Sequence, residues 1–203
     1  MKRIFIVLGV LVFLAIVVVV MLVGGYNRLV GLSQEVDQNW AQVQNVYQRR
    51  ADLVPNLVAT VSGSASFEKS TLMEVTNARA SVGKAQIDPN SAPTSPEALQ
   101  KFQAAQAELG GALSRLLVVV ERYPDIKSTQ NFMNLQAQLE GTENRISVER
   151  GRFNGAVQAY NTSVRRFPAV LYAGIFGFTA KPYFAADAGA EKAPTVKFDF
   201  EKK

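Results

Sequence analysis

No polar or charged side chain occurs from Ile4 to Val23, a run of twenty positions. At 1.5 Å per residue a helix of that length is roughly 30 Å long, the thickness of a bilayer's hydrocarbon core. The pattern then changes. Leu29, Ser33, Val36, Trp40, Val43, Tyr47, Arg50, Val54, Leu57 and Val61 recur at alternating steps of four and three. That is the heptad spacing of helices packed side by side, as in a coiled coil. One helix over 26–61 is about 54 Å long. Pro55 lies inside it, removes a backbone donor and predicts a kink near Arg50–Asp52. The seam stops at Gly63-Ser64-Ala65-Ser66, read as a bend or a break. Helix resumes with Leu72, Val75, Arg79 and Val82.

Residues 83–96 hold three prolines and no period, so they form a loop. The loop closes on Ser95-Pro96-Glu97: an N-cap, a proline at the first helical position and an acid in the first turn. Leu99, Phe102, Gln106, Leu109, Leu113, Leu116 and Val120 then mark a helix that Pro124 stops. A longer one starts near Ser128 and carries Phe132, Leu135, Leu139, Thr142, Ile146, Glu149, Phe153, Ala156, Tyr160, Ser163 and Phe167. The short turn between these two helices predicts that they lie antiparallel. The expected fold is all-α: an N-terminal transmembrane helix (1–25), then an antiparallel up-and-down bundle of three to four long helices (26–167), then an apolar and aromatic tail (168–203). The number of helices depends on whether Gly63–Ser66 is a true turn.

Composition narrows the chemistry. The chain has 203 residues with no Cys and no His, which removes disulfides, thiolate nucleophiles, the commonest metal ligand and the usual general base. The net charge of +5 is spread thinly, without the basic, aromatic-interleaved surface of a nucleic-acid binder. The apolar run is longer than the core of a secretory signal, and its end, Met21-Leu22-Val23-Gly24-Gly25-Tyr26, matches a cleavage site poorly. It is read as a retained single-pass anchor. Lys2 and Arg3 precede it and Arg28 follows. This bias favours a cytoplasmic N-terminus and an extracytoplasmic body at the cell (inner) membrane. The margin is two charges against one, so the reverse orientation stays open. Tyr26 abuts the span and suits the interfacial aromatic belt.

Two charges interrupt apolar seams. Arg50 and Glu149 either pair across the core or each snorkel to the bundle edge. Glu140–Arg145 and Glu149–Arg152 read as ordinary pairs on the helix surface. Trp40 and Tyr47 fall on the seam and are expected in the core. Arg49, Arg50 and Asp52, beside Pro55, are expected to satisfy carbonyls that the proline frees; the alternative is a partner groove. Gly63–Ser70 lacks the glycine that a phosphate-binding loop needs before its lysine. Asn161-Thr162-Ser163 fits a glycosylation acceptor but lies in a helix, and Asn161 is read as a surface residue. Glu140, Glu143 and Glu149 have no histidine to complete a di-metal motif. No cofactor or metal is expected.

Together, several segments resemble one family. They are Tyr26-Asn27-Arg28-Leu29-Val30, Trp40 and Val43, Tyr47-Gln48-Arg49-Arg50-Ala51-Asp52-Leu53-Val54-Pro55-Asn56-Leu57-Val58, Ala78-Arg79, Leu139-Glu140-Gly141-Thr142-Glu143-Asn144-Arg145-Ile146, Phe153-Asn154, Tyr160-Asn161, Phe167-Pro168, Gly177-Phe178 and Pro182-Tyr183-Phe184. The chain is similar to the LemA family of bacterial membrane-anchored helical-bundle proteins from the anchor to the tail. The resemblance implies one N-terminal span, an all-helical body and no assigned catalytic residue. Some members are associated with membrane remodelling or organelle formation, others with membrane proteases, and either membrane orientation is compatible with the resemblance.

The ten residues Ala169–Phe178 are too few to span a bilayer. They are read as capping the bundle, touching the membrane surface or meeting another copy. Tyr26, Phe176, Phe178, Tyr183 and Phe184 are the candidates for interfacial or partner contact. Val196–Phe200 alternates apolar and charged residues, as an added strand or a loose end would. The reading as a whole is a non-enzymatic, membrane-anchored scaffold of the bacterial envelope. Its partners would be lipid, further copies of itself as a homo-oligomer, and an envelope protein, with no nucleic acid. The alternative is an adaptor or regulator of a membrane enzyme such as a protease.

Overall fold

A computed structural model describes residues 2–63, 67–85 and 87–185 of the chain. Helix α1 (Lys2–Ser62) runs without interruption from the apolar stem into the body and is about 92 Å long. It is followed by α2 (Lys69–Lys84), α3 (Pro96–Val120), the single turn α4 (Pro124–Lys127) and α5 (Gln130–Arg165). Among the described residues there is no strand.

Cross-helix pairs fix the arrangement. Next to the stem, Trp40 of α1 meets Phe102 of α3 and Phe153 of α5. One level further, Arg50 meets Gln106 and Glu143. At the far end, Glu68 and Glu74 beside and within α2 pair with Arg122 and Arg115. The body part of α1 therefore runs away from the stem, α2 back toward it, α3 away and α5 back, giving an up-down-up-down bundle of four helices. Gly63 lies in the turn where α1 ends. Ser64–Ser66 and Val196–Phe200 fall outside the described residues.

The heptad seam is the core. Every position of the α1 seam from Leu29 to Val61 is buried except Ser33, which is half-buried. All seven α3 seam residues are buried as well. On α2, Val75 and Val82 are buried as expected, while Thr71 and Ala78 take the places expected of Leu72 and Arg79, and Arg79 is exposed. On α5, Phe167 is not a core residue. The helix stops at Arg165, Arg166 is already extended (ψ 147°) and Phe167 is 79% exposed, because a residue just before a proline is disfavoured in helical geometry. The caps follow local chemistry. Ser95 Oγ accepts from the Ala98 N–H at 3.3 Å, and Thr129 Oγ1 from the Phe132 N–H at 3.3 Å.

Pro55 shows how the chain tolerates a proline inside a helix. Its missing N–H leaves the Ala51 carbonyl, four residues back, without its helical donor. Arg79 Nε of α2 donates to that carbonyl at 3.0 Å. The satisfying group thus comes from across the bundle and is none of Arg49, Arg50 and Asp52, the residues the sequence offered. Arg50 is turned into the core, while Asp52 accepts from Gln48 at 2.8 Å on the surface.

The stem is the exception to burial. Ile4–Leu8, Val10–Leu14 and Ile16–Val20 are all exposed, each large side chain 38% or more. Soluble monomers rarely present such a column to water; the helix is long and apolar enough to cross a membrane.

Candidate functional site

A charged node lies in the body of the bundle. Arg50 is 3% exposed in the seam of α1. Its Nη1 donates to both Glu143 carboxylate oxygens at 3.1 Å. Its Nη2 donates to the Gln106 backbone oxygen at 2.9 Å and side-chain Oε1 at 2.6 Å. The guanidinium lies 5.2 Å from the centre of the Tyr47 ring. Glu143 remains 58% exposed, so the buried cation reaches an anion at the bundle edge. Of the two readings of Arg50 and Glu149, pairing with each other is ruled out. Glu149 bonds Arg152 one turn along its own helix at 2.8 Å, and Glu140 accepts from Gln136 at 3.0 Å. Beside the node opens a groove of about 220 Å³ lined by Tyr47, Gln103, Gln106, Glu143 and Arg150. Through its bonds to Gln106 and Glu143, Arg50 ties α1, α3 and α5 together at one level.

A second constellation holds the tail. Asn161 Nδ2 donates to the Lys181 oxygen, and Asn161 Oδ1 accepts from the Lys181 N–H, both at 2.8 Å. Asn154 does the same for Phe184, at 3.1 and 2.9 Å. The registers match. Seven helical residues span about 10.5 Å, and three extended residues about 10 Å. Two asparagines two turns apart can therefore each present an amide edge to a strand-like segment. Lys181 Nζ then reaches Asp37 at 2.9 Å, with only 8% of the lysine side chain exposed. Asp37 also accepts the Ala92 N–H at 3.0 Å, binding the 87–95 loop to the same spot. Burial, and secondarily the Asp37 charge, pushes the Tyr160 hydroxyl pKa above its ordinary value of 10.0.

The candidate residues separate on this frame. Trp40 and Tyr47 are buried, and the Trp40 indole N–H donates to the Asp88 carbonyl at 2.9 Å. Phe184, a candidate for partner contact by sequence, is instead 5% exposed and packed on Trp40 and Phe153. Tyr183 beside it is 46% exposed, turned away from the bundle. Tyr26, Phe176 and Phe178 come together edge to face at the top of the stem. Asn161 is a buried clamp and not a surface asparagine. The roles of Glu143, Gln106, Arg79, Asn154 and Asp37 do not follow from the sequence pattern. The readable signals were the fourth residue before Pro55 and two asparagines at heptad spacing ahead of an extended tail.

Stem and body define the class: a helical bundle continuous with a membrane helix, with its tail strapped back along the last helix. The LemA family model matches residues 39–198, and the chain belongs to the LemA family. It is 27% identical over 178 residues to magnetosome protein MamQ 2 of Paramagnetospirillum magneticum, an alignment covering 78% of this chain and 64% of that protein. Magnetosome protein MamQ of Magnetospirillum gryphiswaldense is 24% identical with the same coverage. Protein LemA of Metamycoplasma hominis is 21% identical over 145 residues, 71% of this chain and 62% of that protein. The chain thus spans under two thirds of the length of these curated relatives.

Proposed function

We propose that this protein is a non-enzymatic, membrane-anchored scaffold of the bacterial envelope that holds copies of itself, and an envelope partner, at a fixed height above the membrane. The favoured orientation puts the N-terminus in the cytoplasm and the bundle outside. One observation carries the reading: stem and first bundle helix are one uninterrupted α1, so the body is coupled to the bilayer by a rod and not by a linker. The polar groups of the core go the same way. The charges of Arg50, Asp37 and Lys181 and the amides of Gln106 and Asn161 are spent on holding elements to each other. The names of the magnetosome relatives give a place and no reaction. Tethering raises local concentration, which favours self-association without a large interface.

Crosslinking in intact cells followed by pull-down tests this. A scaffold recovers chiefly itself, as species larger than one chain. Recovery of only a monomer, or of one enzyme in fixed ratio, contradicts it; the second result is what an adaptor of a membrane enzyme such as a protease would give. Protease access in sealed vesicles tests the orientation.

A further inference from the structure

The end of the bundle next to the stem has two features that none of the roles above uses. First, apolar side chains face outward there. Val170, Leu171, Ile175 and Phe176 are 54%, 67%, 82% and 51% exposed, although Tyr172 and Ala173 between them are buried against Leu29. The turn that carries them is fixed to the stem. A Cβ at Gly25 would overlap Tyr172 Oη, so the close approach needs glycine. Phe176 stands edge-on to Tyr26 with ring centres 5.3 Å apart. Gly177, at φ +79°, then reverses the chain.

Depth follows from helix rise. Gly25–Leu29 stand about 3–9 Å past Val23, the last residue of the apolar run. The headgroup layer on each side of the hydrocarbon is about 5–8 Å thick. The apolar turn therefore sits at headgroup depth.

Second, the charged residues that line the groove there, Arg28 and Arg166, are both basic. No Asp or Glu occurs in residues 1–34 or 150–186. Arg28, Arg165 and Arg166 do occur there, all exposed. Between stem and turn lies a groove of about 510 Å³ whose lining includes Gly24, Gly25, Arg28, Arg166, Met21 and Phe167.

We propose that this end of the bundle is a lipid-binding seat. The groove takes the phosphate of an anionic phospholipid between Arg28 and Arg166, while Val170, Leu171 and Ile175 dip into the interface. Three things select lipid over a second copy. The patch continues the lipid-covered stem, it lies at headgroup depth, and a copy related about the membrane normal would present the same arginines and repel. The inference rests on the stem crossing the bilayer.

The chain has no cysteine, so single labels can be placed freely. Val10→Cys, Ile175→Cys and Met73→Cys variants of the full chain, each carrying a fluorophore, are reconstituted in phosphatidylcholine–phosphatidylglycerol vesicles whose chains are brominated. Quenching is expected at Val10 and Ile175 and not at Met73, which lies on the distant α2 and is 64% exposed. Moving bromine from the neutral to the anionic lipid should raise quenching at Ile175. Arg28→Gln or Arg166→Gln should each lower that preference roughly fivefold while Trp40 emission stays unchanged. Quenching at Val10 without quenching at Ile175 overturns the seat and leaves the stem standing. No quenching at Val10 overturns the stem itself. Equal quenching by both lipids at low salt overturns the phosphate assignment.

Discussion

Replacing Arg50 with methionine tests whether the charged node works through its ion pair or through the buried amide of Gln106. The substitution keeps the apolar stem and removes the guanidinium. Oε1 of Gln106, a residue 4% exposed, then loses its donor, while the Gln106 backbone oxygen keeps the Gly110 N–H one turn along α3. An uncompensated buried acceptor costs about 1–3 kcal/mol; part of this is relieved if the Gln106 side chain turns, giving about 2 kcal/mol in all. Glu143→Gln should behave differently. That carboxylate is 58% exposed, water and an amide can replace it, and screening holds the loss to about 1 kcal/mol or less. Trp40 is the single tryptophan and is fully buried, so urea unfolding in mild detergent can be followed by its fluorescence. With a slope of about 2 kcal/mol per molar, Arg50→Met should lower the midpoint by about 1 M and Glu143→Gln by about 0.5 M or less. Equal losses would show that the ion pair dominates. A neutral or stabilising Arg50→Met, as happens when some buried ion pairs are replaced by apolar residues, would refute the role given to Gln106.

The tail clamp makes its own demands. Asn161→Ala removes two hydrogen bonds and leaves the buried Lys181 backbone unpaired, at about 2–4 kcal/mol; chymotrypsin should then cut at Tyr183–Phe184 faster than in Asn154→Ala, because Asn154 is itself only half-buried. Gly25→Ala should loosen the turn after α5, and adding Tyr172→Phe should restore part of the protection from proteolysis, because the overlap is with the hydroxyl. Arg79→Met should cost about 1–2 kcal/mol in the same urea titration by freeing the Ala51 carbonyl, and Pro55→Ala should cancel that cost by restoring the helical donor. The raised Tyr160 pKa means that the folded state keeps its proton longer than the unfolded chain. Stability should be flat below pH 10 and fall as pH rises above it, and Tyr160→Phe should flatten that fall.

Much of this architecture was legible in residue order. The heptad seam of α1 named its buried face almost position by position, because a 3.5-residue period survives any detail of packing. Ser95-Pro96-Glu97 placed a helix start, since cap chemistry is local. What was hidden is long-range. The seam showed that Arg50 needs a partner. It did not show that Glu143, rather than Glu149, lies at its level, because the axial offset between antiparallel helices is set by the turn at α4. Phe184 read as an exposed aromatic because nothing local says that 181–184 folds back along α5. Asn154 and Asn161 hold that return together with the Asp37–Lys181 pair, and helix-surface asparagines look the same in a sequence.

A distance across the glycine pair tests the continuity of stem and bundle most directly. Val20 and Gln38 are both exposed and lie 18 residues, five full turns, apart on α1. Spin labels at Val20→Cys and Gln38→Cys in the reconstituted full chain should give one narrow distribution centred at about 27 Å. A broad distribution reaching shorter distances would mean that Gly24–Gly25 is a hinge and that the bundle is only tethered to its membrane.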